Sequence, residues 1–174
     1  MTEGARPPRA AMRPWACAPT NVRPVNLVTR IVLARTDLVA IWLDTLRAFP
    51  TGLCLSLHHL VAPRAPRSLS DRLDLDVRPP RQGANLLEFG VRFADGREIS
   101  NREPLPVRPR DDGLFVSLRA GDGDETVWWI HPLAPPGPLT FWVAWERAGI
   151  PPTSAQIDAR ILREAADRAE RLWP

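Results

Sequence analysis

Lysine and tyrosine are missing from this 174-residue sequence altogether, and cysteine, at two residues, nearly so. The absence of lysine makes all 23 basic side chains arginines. Between the cysteine thiols near ~8.5 and arginine above ~12 nothing then titrates, which lifts the isoelectric point to 10.0 although the net charge is only +3. Residues 1–24, with four Arg against one Glu, carry +3 by themselves, so the rest of the chain is balanced. A balanced body is a poor electrostatic footprint for nucleic acid, which is not expected as a partner. Arginine without lysine, beside abundant Ala and Pro, reads as the coding habit of a GC-rich genome.

The two cysteines give no disulfide framework, since Cys17 sits in a Pro-rich stretch and Cys54 inside a strand-like run. No window approaches the ~20 apolar residues of a membrane helix. The start, MTEGARPPRAAMRPWACAP, has Arg and Pro where a secretory signal would carry its apolar core. Together these point to a cytoplasmic protein with no membrane partner. Glycine is scarce beside proline, 10 against 20, which favours strands joined by stiff loops over bundled helices.

Motifs of chemistry are missing too. There is no Gly-x-Ser-x-Gly elbow, no His-Glu-x-x-His and no Gly-rich phosphate loop. AGDGDE, residues 120–125, has oxygen ligands without the spacing of a calcium loop. His58 and His59, with His131 as a third, suggest a metal site, but neighbours on a strand point to opposite faces and cannot chelate from one side. No catalytic residue, metal or cofactor is assigned, and an enzyme is the less favoured reading.

What is present is a series of short apolar runs. Residues 1–24, with five prolines and four arginines, read as a disordered leader. VNLVTRIVLA, LVAIWLDTLRAF and GLCLSLHHLV follow as strands, the last alternating Leu53, Leu55 and Leu57 against Cys54, Ser56 and His58. FPTG between the second and third is a hairpin signal. The apolar phase slips at Asp44 and Thr45, as a β-bulge would make it slip. Residues 62–83 form a long polar loop. NLLEFGVRFADGREIS resumes with Leu87, Phe89, Val91 and Phe93 inward and a type I′ turn expected at Asp95-Gly96. LFVSLRAG is another alternating strand. TSAQ matches a capping box, so residues 154–172 read as a helix with Ile157, Ile161, Ala165, Ala169 and Leu172 on its apolar face. Seven to eight strands at hairpin spacing, followed by one C-terminal α-helix, predict an all-β fold, an antiparallel immunoglobulin-like β-sandwich over 25–153 with the helix packed on a sheet.

VWWIHPLAPPGPLTFWVAW, residues 127–145, holds four of the seven tryptophans. Read as a hairpin, it puts Val127, Trp129, His131 and Leu133 with Leu139, Phe141, Val143 and Trp145 in the core. Trp128, Ile130, Trp142 and Ala144 then share the outer face. An outer apolar patch needs a cover. The C-terminal helix is one candidate, a partner protein or a second copy of the chain another, and a small molecule a third. Trp128, Ile130 and Trp142 are therefore the candidate binding residues. The expected function is a non-enzymatic binding or structural module that associates with another protein or with itself. The alternative is a small-molecule binder or enzyme using an aromatic and arginine site near this hairpin.

PLAPPGPLTFWVAWERAGIPPT, followed by a helix ending AERLWP, resembles the closing segment of a group of short bacterial proteins from high-GC genomes that share a PPGPLTF run, a following Trp and a terminal LWP. ARTDLVAIWLDTLRAFPTG is similar to their early strands. The resemblance spans about residues 25–174 and implies those boundaries. No activity is known for the group, so it implies no chemistry.

Overall fold

The computed structural model describes residues 13–70, 86–122 and 124–173. The runs expected as strands are strands: β2 (Val25–Arg35), β3 (Val39–Phe49), β4 (Gly52–Val61), β5 (Glu88–Arg92), β7 (Phe115–Asp122), β8 (Glu125–His131) and β9 (Pro138–Trp145). They are joined by β6 (Glu98–Ser100), β10 (Ile150–Asp158) and two strands of two residues each, β1 (Val22–Arg23) and β11 (Glu170–Arg171). Among the described residues helix is confined to α1 (Arg67–Ser70), a 3-10 turn at Glu146–Ala148 and α2 (Arg160–Asp167). The inner part of the 62–83 loop beyond Ser70 lies outside the described residues, as do residues 1–12 of the leader.

Two antiparallel sheets account for nine strands, in the orders β2-β3-β4-β8-β7 and β10-β9-β5-β6. Their inner faces share one apolar cluster, to which the first contributes Ile41, Leu43, Leu55 and Trp128 and the second Phe89, Val91, Phe141 and Val143. The bulge in β3 is where the phase slip puts it: Leu43 pairs with Leu57 and Leu46 with Leu55, one residue more on β3 than on β4. Leu53, Leu55 and Leu57 face the core as their alternation requires. The Asp95-Gly96 turn departs from the expected type. Gly96 alone has positive φ, 85°, and its amide donates to Phe93 O at 3.0 Å. Phe93 N in turn bonds Arg97 O at 2.8 Å. This is a type I turn closed by a glycine bulge.

Three expectations need correction. The first is the hairpin at 127–145. β8 belongs to the five-stranded sheet and β9 to the four-stranded one, so the strands never pair. Residues 132–137 carry the chain from one sheet to the other. β9 keeps the expected phase, with Leu139, Phe141, Val143 and Trp145 in the core. β8 takes the opposite one: Trp128 and Ile130 face inward, and Trp129 faces outward.

The second concerns the C-terminal region. Thr153, Ala155 and Ile157 are half-buried while their neighbours are exposed, the period of a strand, and β10 pairs with β9 from Thr153↔Val143 to Asp158↔Pro138. The residues read as a capping box thus lie inside a strand. Edge pairing wins over local helix chemistry here, and Pro151 and Pro152 are tolerated at a bulged edge. The helix is eight residues long and begins behind Asp158, whose Oδ1 accepts from Arg160 N at 3.0 Å. It buries Leu162, Ala165 and Ala166, the last two against Ala48, Val25, Leu27 and Leu133. It touches β2 and β3, and covers none of Trp128, Ile130 and Trp142.

The third is the leader. Residues 13–23 are built into the fold. Trp15 packs edge-on against Phe115 with centroids 5.1 Å apart, Cys17 is buried, and β1 pairs with β11. An outward aromatic cluster does exist, formed by Phe49, Cys54, Phe115 and Trp129, and this N-terminal segment covers it. The Trp129 Nε1 donates to Trp15 O at 2.8 Å, so the cover satisfies the one polar group of the ring it buries.

The helix register yields a paired test. Ile161 is 42% exposed and Leu162 fully buried. Ile161→Asp should change stability by no more than about 0.5 kcal/mol. Leu162→Asp should cost at least ~3 kcal/mol through a lost core side chain and a buried carboxyl. Thermal denaturation of the two variants beside wild type checks this.

Candidate functional site

The three candidate binding residues do not come together. Trp128 and Ile130 line the interior, Trp128 with its ring 5.2 Å from Phe89 and its Nε1 donating to Thr126 Oγ1 at 3.0 Å. They present nothing to a ligand. Trp142 lies on the outer face of the other sheet, as its alternation on β9 requires.

That outer face is built from two rows crossing four strands. One is Ser154, Trp142, Gly90 and Ser100; the other is Gln156, Thr140, Arg92 and Glu98. Gly90 opposite Trp142 leaves a bare stretch of backbone, and the indole lies down on it so closely that a Cβ at 90 would overlap the ring. Arg102 closes the other side, its guanidinium carbon 5.1 Å from the ring centroid. Arg102 is aimed there by its neighbour Asn101, which is fully buried. The Asn101 Oδ1 accepts from Phe89 N at 2.7 Å and its Nδ2 donates to Leu87 O at 3.0 Å, so the side chain extends the pairing of β5 past the end of β6.

The charged groups are knitted together. Glu98 Oε1 accepts from Trp142 Nε1 at 2.9 Å and its Oε2 from Arg92 Nε at 2.6 Å. Arg102 Nε donates to Glu88 Oε2 at 2.7 Å, and Gln156 Nε2 to Thr140 Oγ1 at 2.9 Å. Beside them a cleft of about 190 Å³ opens between Arg92, Arg102, Thr140 and Trp142 on one side and Pro152 to Ser154 on the other. Carboxylates held this way position their neighbours, and the arrangement is suited to binding.

A second feature lies on the outer face of the five-stranded sheet. Val32 pairs with Trp42, and Trp42 with His58, whose rings stack at 5.1 Å and 9°. His58 Nε2 stands 3.8 Å from Asp44 and 4.0 Å from Glu125. Around the stack Val28, Val32 and Leu60 are 81%, 59% and 47% exposed. The sequence holds the signal for this group, because the FPTG turn and the β3 bulge together place Trp42 opposite His58.

The three histidines take separate places. His59 is buried on the inner side, 6.5 Å from the Trp145 ring, and His131 Nδ1 lies 2.7 Å from Thr51 O. Among the described residues no group of three or more His, Cys, Asp or Glu could hold a metal ion, and no helix is long and apolar enough to cross a membrane. Cys17 and Cys54 form no disulfide, and burial pushes the Cys54 thiol up against the opposing influence of Arg47 and Arg119.

Two outcomes follow. Gly90→Ala forces the indole off the sheet and should cost about 1–3 kcal/mol, read by thermal denaturation, with the Trp142 to Glu98 bond lost from the indole N–H spectrum. Burial lowers the His59 pKa, with Asp124 opposing it and His58 adding to it. In the unfolded chain His59 therefore takes up a proton more readily than in the folded one. The stability it supports is present above about pH 6.5 and lost as pH falls below that value toward the folded pKa. His59→Leu should flatten that limb of the stability profile, measured by denaturant unfolding across pH. No protein-family model, curated protein or solved structure matches the chain.

Proposed function

We propose that the chain is a non-enzymatic binding module built as an immunoglobulin-like β-sandwich, and that it associates with a second copy of itself through the outer face of the five-stranded sheet. Two antiparallel sheets on one core support the architecture. The exposed aliphatic frame around the Trp42–His58 stack carries the functional reading. An aromatic centre, an apolar surround and a charged rim are the anatomy of a protein interface. The flanking charges are of both signs, Arg35 and Arg47 with Asp44 and Glu125, so the face carries no single-sign field to repel a second copy.

Sedimentation of the full chain over a concentration series tests this. Mass should rise toward that of a dimer, and Val32→Arg should hold the protein monomeric with the melting temperature of the dilute, monomeric wild type. A chain that stays monomeric up to about 100 μM, or a dimer that Val32→Arg leaves intact, would overturn self-association through this face and leave a different protein as the occupant of the module.

A further inference from the structure

The cleft at Trp142 lies on the opposite side of the molecule from that surface and is independent of it. We infer that it binds a small organic carboxylate. Each Glu98 oxygen already accepts one bond, from Trp142 and from Arg92, and Glu88 Oε2 accepts one from Arg102. Thr140 Oγ1 accepts from Gln156 and keeps its O–H to donate. The two guanidiniums are held by their Nε edges, which leaves the Nη forks of Arg92 and Arg102 as donors. Ser154 adds a hydroxyl on the β10 side. Donors are in surplus, and the ligand must bring acceptors.

Size and charge narrow the class. A space of about 190 Å³ is smaller than a drug-sized pocket and takes a few heavy atoms. Glu88 and Glu98 balance Arg92 and Arg102, so the cluster tolerates one added negative charge better than the two of a phosphate. A neutral sugar offers as many donors as acceptors and leaves the forks poorly matched. A monocarboxylate fits the end-on fork of an arginine with two parallel bonds, and the edge of Trp142 with Pro152 gives its carbon chain an apolar rest. Gly90 and Asn101 prepare the site, the one by seating the indole and the other by aiming Arg102 over it.

Titration of the ¹⁵N-labelled full chain with lactate and with acetate tests the inference, read at the Trp142 indole N–H and the Arg92 and Arg102 Nε–H. The expected result is a saturable shift of these signals, weakened roughly tenfold in Arg92→Gln and less in Ser154→Ala, both variants melting as wild type does. Inorganic phosphate and glucose serve as the competing probes. No saturable shift with either carboxylate at about 50 mM, equal shifts with phosphate or glucose, or an affinity that neither variant alters would overturn it. None of these results depends on whether the chain dimerises.

Discussion

Trp128 against Phe89, with ring centroids 5.2 Å apart, joins the two sheets, and the rest of the architecture depends on burying that indole. A fully buried Trp needs a partner for its N–H, and Thr126 two residues back on the same strand supplies it. Thr126 Oγ1 in turn donates to Leu57 O at 3.3 Å, so the chain of bonds ends on the backbone of β4. With Trp128 fixed inward, alternation forces Trp129 outward, where an indole cannot stay bare. The N-terminal segment answers that demand, and β1 and β11 then tie this segment to the end of the chain through the 2.6 Å contact of Arg23 with Glu170.

The crossing at 132–137 has a similar reach. It places β8 and β9 in different sheets, and so divides four tryptophans among three environments. Trp128 and Trp145 go to the core, Trp129 to a covered outer cluster, and Trp142 to an open face. A hairpin at the same position would have paired Trp142 beside Ile130 and made one patch of them. One loop therefore decides whether the tryptophans form a single surface or several.

Strand content, most strand limits, the β3 bulge and the inward set of β4, β5 and β9 were legible, because periodicity reports which side of a strand is buried. Periodicity does not report which sheet a strand joins. The phase of β8 was read wrongly for that reason, since Trp128 and Trp129 are both apolar and only the unknown partner could choose between them. β10 was misread because Thr-Ser-Ala-Gln satisfies a helix cap locally, while the edge of β9 offered it a longer set of hydrogen bonds. At the site, Trp142 could be placed outward from alternation alone. Gly90, Glu98 and Arg102 could not be joined to it, because the pairing of β5 with β9 spans about fifty residues and carries no local signal.

The arginine-only vocabulary has a structural use that composition does not disclose. A guanidinium is planar and stacks on aromatic faces where an ammonium would stay hydrated. Arg13 over Trp15 and Arg102 over Trp142, at 5.7 and 5.1 Å, each cover an outward ring, and Arg97 lies 5.2 Å from the ring of Phe93, a core residue. Trp142 and Trp15 are thus sheltered by charge, whereas Trp129 is covered by the apolar side chains of the N-terminal segment. Trp42 is sheltered differently, by the flat ring of His58, which stands beside Asp44 and Glu125. Val28, Val32 and Leu60 are left open on the same face. The unsheltered apolar surface of the two sheets gathers around β2 to β4, and the donor-rich surface gathers at the opposite sheet. The outer face of the first sheet thus carries an open aliphatic patch at β2 to β4, suited to another apolar surface, and that of the second a donor-rich cleft suited to a ligand rich in acceptors.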